Sequence, residues 1–350
     1  MKKNLARVGI IILNWNGKDN TLECLESVYK IDYPAFEVIL VDNDSSDDTV
    51  SEVKKKYPKT KIVINSSNLG YAEGNNVGAK YALGRGCEYF LLLNNDAIVK
   101  EDLISEFLKA FHSLPNAGIL GAKICRYYEK DALDHLGGKW SSEKARFHLI
   151  GDHLLPKDVP YKQKLDYVCG CAICIKKEVV EKIGLFDKRF FLFWEEADLC
   201  YRCRKAGFEI YSIGSAVVWH KISASFKSKP HTQYYWWRNR FLWMEKNIPP
   251  HERKKIYWKK VYPEVFRLFK NFQLKKFQYL FGSLFSSYEK QKKREEKILS
   301  YKACLHGVRD YFFKRFGPGP SWLIKNRSSQ TPNRVIRKMT GDHNIHRYKK

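Results

Sequence analysis

The apolar positions of the first hundred residues cluster in short runs: Val8 to Leu13, Phe36 to Val41 around the single Glu37, Lys61 to Ile64 after its opening lysine, and Tyr89 to Leu93. Between the runs, apolar residues recur near helical spacing, at Leu22, Leu25, Val28 and Tyr29, at Val50 and Val53, and at Val77, Tyr81 and Leu83. An unbroken apolar run of this length fits a strand covered on both faces. Strands alternating with helices predict an α/β fold, Rossmann-like, with a mostly parallel central sheet and right-handed crossovers. The first, second and fourth strands end in polar residues: Asn14-Trp-Asn-Gly17, Asp42-Asn-Asp-Ser-Ser-Asp-Asp48 and Asn94-Asn95-Asp96. Ligands of open α/β sheets bind at the carboxyl ends of the strands. Ser46 or Asp47 is placed to cap the helix that carries Val50 and Val53.

The pattern continues with a helix over Glu101 to Ser113, a strand over Tyr167 to Ile175 and a short helix over Lys177 to Ile183 that stops at Gly184. Between Cys125 and Asp166 no period is visible, and Asp131-Ala-Leu-Asp-His135 and Gly137-Gly138 lie in that stretch. A long irregular segment in a compact domain is commonly functional, and this one is expected as a flap over the active site. An aromatic segment, Phe190 to Trp194, runs into Glu195 and Glu196, and Asp198 opens the helix that follows. Strands are expected at Glu209 to Ile213 and at Ala216 to Trp219, the second ending at His220.

The charge is uneven. The chain carries 63 Lys+Arg against 38 Asp+Glu, and residues 251–350 alone hold 26 against 7. A nearly balanced body therefore bears a strongly basic final third, the signature of a polyanionic partner. Ile256 to Leu284 interleaves lysines with Tyr257, Trp258, Tyr262, Phe266, Phe269, Phe272, Phe277 and Phe281 at spacings of three and four. This reads either as a cationic helix lying on an anionic membrane or as an aromatic stripe buried against the body. No RNA-binding motif is present, and an acid-lined site is a poor neighbour for phosphate backbones, so nucleic acid is not expected as a partner. No apolar run is long enough to span a bilayer, and the basic start has too short an apolar core for a signal peptide. The expected location is the cytoplasm, peripherally on the cytoplasmic membrane. The division expected is 1–245 for a catalytic domain and 246–350 for a basic, helical region with a loosely ordered end after Ser321.

The nine cysteines include Cys171-x2-Cys174 and Cys200-x2-Cys203, which imitate a four-cysteine zinc pattern. One pair lies on a predicted strand and the other on a helix, without a knuckle, so buried free thiols are expected. Neither phosphate-cradling glycine loop follows the first strand. A phosphate bound here needs a metal or basic side chains, which raises Asp96 from a turn former to a metal ligand. Glu195 and Glu196 sit beneath an aromatic wall, where a carboxyl pKa rises and suits general-base work; the competing reading is a solvated helix start.

Taken in order, Ile11 to Gly17, Val41 to Asp47, Asn68-Leu-Gly-Tyr-Ala-Glu-Gly-Asn-Asn76, Leu91 to Asp96, Gly184-Leu-Phe-Asp187, Glu195-Glu196-x-Asp198-Leu-Cys-x-Arg202, Val217-Val-Trp-His220 and Tyr234-Tyr-x-x-Arg-Asn-Arg240 resemble the family 2 inverting glycosyltransferases, in their rhamnosyltransferase-like branch. The resemblance implies a GT-A fold, a dTDP-, UDP- or GDP-linked sugar donor and a divalent metal, Mg²⁺ or Mn²⁺. It implies that Asp42 holds the nucleoside and that Asn14, Asn16, Asn43, Asn68, Gly70, Asn75, Asn95 and Arg202 line the donor. Asp96 would bind metal, with His220 beside it. The second acid of the family's pair is the base, which makes Glu196 the catalytic residue here with Glu195 as the alternative. The chain has neither the Q-x-x-R-W motif nor the spans of processive synthases, so one sugar per acceptor is implied, to a glycan or lipid-linked hydroxyl in cell-surface polysaccharide or cell-wall synthesis. A homodimer is the candidate assembly. Two other functions fit parts of the pattern: a sugar nucleotidyltransferase, which would want a basic glycine loop after the first strand, and a non-catalytic membrane- or RNA-binding protein working through the basic tail.

Overall fold

A computed structural model describes residues 5–129, 132–152, 154–221, 230–282 and 287–325. The chain runs β1 (Val8–Asn14), α1 (Lys18–Val28), β2 (Phe36–Asp42), α2 (Thr49–Lys56), β3 (Lys61–Ile64), α3 (Gly70–Gly84), β4 (Tyr89–Asn94), β5 (Ala97–Val99), α4 (Leu103–Ser113) and β6 (Ala117–Arg126). It continues through β7 (Gly137–Ser141), β8 (Arg146–Ile150), β9 (Lys162–Lys164), β10 (Tyr167–Val168), β11 (Ala172–Lys176), α5 (Lys177–Ile183), α6 (Glu195–Lys205) and β12 (Glu209–His220). The last helices are α7 (Pro230–Asn247), α8 (Pro250–Ile256), α9 (Tyr262–Gly282), α10 (Tyr288–Phe312) and α11 (Trp322–Lys325).

The central sheet has the order β3-β2-β1-β4-β11-β6-β12-β5, with β9 added beside β12. β3, β2, β1 and β4 are mutually parallel. β11 enters antiparallel between β4 and β6, and β12 returns parallel to β6. The apolar runs are explained by cover on both faces. Ile11 packs with Ile39, Val41, Phe90 and Leu92 in one core, and Ile10 and Ile12 pack with Val38, Leu40, Leu91 and Leu93 in the other. Each such side chain, fully buried, contributes about 1.5–3 kcal/mol. Register sets Asn14 beside Asp42 and Leu13 beside Asn94, so the polar strand ends lie level along one edge.

Three expectations change. The strand expected over 167–175 is two strands: β10 joins a small sheet of order β10-β7-β8, and β11 joins the central one, with Cys169-Gly170-Cys171 crossing between them. The two strands expected at 209–219 are one strand with a register shift between Ile213 and Val217. The stretch 125–166 is not irregular but carries the end of β6 and all of β7, β8 and β9. Its period is hidden because these strands are short and turn Lys139 and His148 to water, leaving Trp140 and Phe147 as the inward anchors. Those two rings pack on Trp194 and Trp243, which puts the small sheet beside the Glu195 helix.

The expected boundary at 245/246 falls inside α7. α7 packs on the body, burying Tyr234, Trp237, Phe241 and Trp243. α10 lies along α7 so closely that a Cβ on Gly307 would stand 2.3 Å from the Tyr234 carbonyl oxygen. Gly307→Ala should therefore destabilise the chain by about 1–3 kcal/mol. Gly84→Ala, where nothing lies within 4 Å, should leave the melting temperature nearly unchanged. Equal melts for the two variants would show that α10 is not seated on α7 in this way. Residues 326–350, most of the tail expected to be loosely ordered, lie outside the described residues.

Candidate active site

The polar strand ends are joined by one buried amide. Asn14 donates from Nδ2 to Asp42 Oδ1 (2.9 Å) and Ser45 Oγ (3.0 Å). Its Oδ1 accepts from Thr21 Oγ1 (2.9 Å), Asn95 Nδ2 (3.1 Å) and the Gly17 N–H (3.2 Å). Asn14 thus ties the ends of β1, β2 and β4 together. Asp42 accepts a second bond from the Ser45 N–H at 2.9 Å. Asp47, one of the two expected caps, accepts from the Thr49 N–H (3.2 Å) and hydroxyl (2.6 Å).

Asn43 and Asn75, placed by the resemblance at the donor, are also buried and committed. Asn43 bonds Gly70 O and Asn65, and Asn75 bonds Tyr71 O within its own helix. Gly70 has φ +74°, and a Cβ there would lie 2.4 Å from Phe191 O, so it is glycine to admit that loop. Arg202 is turned elsewhere: Nε donates to Asp198 (2.9 Å), Nη1 to Ile183 O (2.8 Å) and Nη2 to Leu185 O. Those bonds fasten α6 to the turn after α5. Asn16 stays exposed and Asn68 and Asn95 half-exposed, with Asn68 Oδ1 accepting the Gly70 N–H at 2.8 Å.

At the far end of the edge, β12 brings His220 to Asp96. Pairing with β5 sets His220 opposite Ala97, and His220 Nε2 lies 3.1 Å from Asp96 Oδ1. Its Nδ1 stands 3.8 Å from Asp134 Oδ2 and is a buried nitrogen without a hydrogen-bond partner. Burial alone would favour the neutral ring, but the carboxylates of Asp134 and Asp96 outweigh it and bring the His220 pKa up to about 10. Asp134, His135 and Cys169 offer ligand atoms all within 4.8 Å of one another, and His135 Nδ1 is likewise buried and partnerless. The carboxylates of Asp96 and Asp134 and the partnerless His135 nitrogen, gathered in one place, fit a divalent cation, and His220 would join them as a ligand only on giving up the proton that its two carboxylate neighbours favour. The Asp134-His135 pair was visible in the sequence, but its stretch had no period to place it.

Glu195 and Glu196 open α6 after a backbone rarely used by ordinary residues: Phe191, Phe193 and Trp194 have φ of +65°, +68° and +75°. Such conformations cost about 1–3 kcal/mol each and persist only when their surroundings impose them. α7 imposes them. Asn239 Nδ2 lies 2.8 Å from the carbonyl oxygens of Phe190, Leu192 and Phe193. Arg238, fully buried, donates to the carbonyls of Arg189 (3.2 Å) and Phe190 (2.8 Å). From the other side the N–H groups of Tyr71 and Ala72 donate to Phe191 O.

The two glutamates differ in what they face. Glu195 is 4% exposed, and burial together with the Glu196 charge holds its pKa well above the ordinary carboxyl value. Glu196 is half-buried; burial raises its pKa, and His135 pulls against that rise. Its carboxyl lies beside Gly170, whose carbonyl accepts the Tyr71 hydroxyl at 2.6 Å. Glu195 Oε2 and Glu196 Oε2 are both buried acceptors without a partner. A raised carboxyl with one oxygen left unpartnered, near an acid–imidazole cluster, is suited to taking a proton from a bound hydroxyl.

Comparison with known proteins agrees with this geometry. A family profile described as "Glycosyl transferase family 2" matches residues 9–184. The chain is 27% identical over 247 residues to "Low-salt glycan biosynthesis hexosyltransferase Agl10" of Haloferax volcanii, covering 68% of this chain and 75% of that protein. It is 25% identical over 248 residues to "N-acetylglucosaminyl-diphospho-decaprenol L-rhamnosyltransferase" of Mycobacterium tuberculosis, covering 59% and 78%. Its fold matches that of the mannosyltransferase PcManGT from Pyrobaculum calidifontis, solved with GDP-Man and Mn2+, with a TM-score of 0.54, 15% identity and 89% of each chain covered. The chain belongs to glycosyl transferase family 2, and it is a glycosyltransferase with the GT-A fold.

Proposed function

We propose that the chain moves one sugar from a nucleotide-diphosphate sugar to a hydroxyl of a lipid-linked or glycan acceptor, inverting the anomeric carbon, with Glu196 as the base. The observation that carries this is Glu196 Oε2, a buried acceptor without a hydrogen-bond partner beside Gly170, in the same part of the molecule as the Asp134–His220–Asp96 chain. Glu196 takes the proton of the acceptor hydroxyl as that oxygen bonds to the anomeric carbon. The bond from that carbon to the diphosphate breaks on the opposite side, and the nucleoside diphosphate leaves with the electron pair. Asp96 and His220 are the residues that would hold a divalent cation, Mg²⁺ or Mn²⁺, which when bound neutralises charge on the leaving diphosphate. Asp42, Asn16, Asn68 and Asn95 flank the nucleotide end of the edge. The mycobacterial relative's name points to a lipid diphosphate acceptor, which would place the reaction in cell-surface glycan or cell-wall synthesis at a membrane surface. Among the described residues no helix is long and apolar enough to cross a membrane.

The test is thermal stability against UDP, dTDP and GDP, with and without Mg²⁺ or Mn²⁺. Saturation to a hundred times the dissociation constant should stabilise the fold by about 2.7 kcal/mol. The shift should need metal and should vanish in Asp96→Ala. A folded protein that no nucleotide stabilises, or an Asp96→Ala variant that responds like the wild type, overturns the reading.

A further inference from the structure

The outward face of α9 is apolar where a surface helix should be polar. Phe266, Phe269, Leu274, Phe277, Leu280 and Phe281 are 48–70% exposed, and they recur at spacings that keep them on one side of the helix. The opposite side is occupied. Val265 and Leu268 pack on the body, Tyr279 Oη donates to Glu295 of α10 at 2.5 Å, and Arg294 of α10 donates to Gln278 O. The exposed face is therefore not a core face seen from the wrong side; a 21-residue helix of about 31 Å length carries a second apolar stripe facing water.

Cations frame the stripe. Arg267, Lys270 and Lys276 are exposed along it. In the turn before it, Trp258 is 66% exposed among exposed Lys254, Lys255, Lys259 and Lys260. We infer that this face of α9, with the Trp258 turn, is the seat by which the chain lies on an anionic bilayer: the rings and leucines enter the acyl boundary, and the lysines meet the lipid phosphates. The inference deepens the membrane-surface reading above and rests on it. Charge selects this occupant. A second copy docked face to face would press one basic stripe on another. A nucleic acid would account for the lysines but leave Leu274, Leu280 and the phenylalanines in water. The seat is also fixed to the machinery. Glu264, in the first turn of α9, accepts from buried Arg240 of α7 at 2.6 Å, and α7 is the helix that holds the Glu196 loop.

The experiment mixes the full chain with vesicles of phosphatidylcholine alone or with phosphatidylglycerol, and reads the sedimenting fraction. The wild type should prefer the anionic vesicles by about tenfold or more. The triple variant F266E/F269E/F277E, altered only at exposed positions, should lose about tenfold in binding while keeping the metal-dependent nucleotide shift as its readout of folding. Equal binding to neutral and anionic vesicles overturns the proposal. So does a triple variant that binds like the wild type, or a wild-type dimer that the variant splits without any vesicle binding. Vesicles doped with a prenyl-diphosphate-linked sugar separate the two readings. Binding without transfer to that lipid removes the lipid acceptor and leaves the seat; equal transfer by wild type and triple variant removes the seat and leaves the acceptor.

Discussion

Glu196→Gln should lower kcat by about 10²–10⁴-fold while donor binding, read as the metal-dependent thermal shift, persists. Gln is nearly the same shape and accepts hydrogen bonds, but it cannot take the proton of an attacking hydroxyl. The pH dependence supplies the sign. A base works ionised, and burial raises the Glu196 pKa. The rate should fall as pH drops through a value above the ordinary glutamate range, and the residual rate of Glu196→Gln should lack that limb. Glu195→Gln provides the contrast. Glu195 is enclosed at 4% exposure, and burial and the Glu196 charge penalise its ionised form, so the uncharged Gln should hold or raise the melting temperature and leave most of the turnover. If Glu196→Gln keeps its rate and Glu195→Gln abolishes it, the assignment is reversed.

Asn239→Ala should destabilise the chain by on the order of 3 kcal/mol and cost turnover as well, though Asn239 touches no reacting atom. Its amide supplies the donors at 2.8 Å for three carbonyls of the loop before Glu195. A buried acceptor left unsatisfied costs about 1–3 kcal/mol. The three left-handed residues would then be free to relax, and Glu196 would lose its position. Asn239→Asp separates bonding from packing, since it keeps the shape but replaces donors with acceptors facing carbonyls. It should be at least as damaging as the alanine variant. An Asn239→Asp protein with wild-type melt and rate would show that the loop is held by something else.

The first hundred residues were legible because a strand covered on both faces must be apolar without interruption, and each polar end then stands out. Asp96 and His220 were legible for the same reason, both ending apolar strands that the sheet sets side by side. What escaped depended on distance along the chain. The Asn239 clamp spans 46 to 49 residues, and no local period announces a side chain whose partners are backbone carbonyls. Asn14, Asn43, Asn75 and Arg202 each hydrogen-bond to other parts of the protein, a structural role that their polar character in the sequence does not announce. The basic tail left two readings open because spacing shows that a stripe exists and not which way it faces; the exposed rings of α9 decide for the outward one.

All nine cysteines are buried free thiols, and burial raises the pKa of every one. Because the thiolate is the reacting species, the folded chain offers an alkylating reagent almost nothing to attack. Cys24 lies beneath the end of β4, Cys171 in the crossing between the two sheets, Cys200 in the glutamate helix and Cys304 against α7. The rate at which each is labelled therefore clocks how often its own part of the molecule opens, and the native sequence carries that set of reporters without alteration.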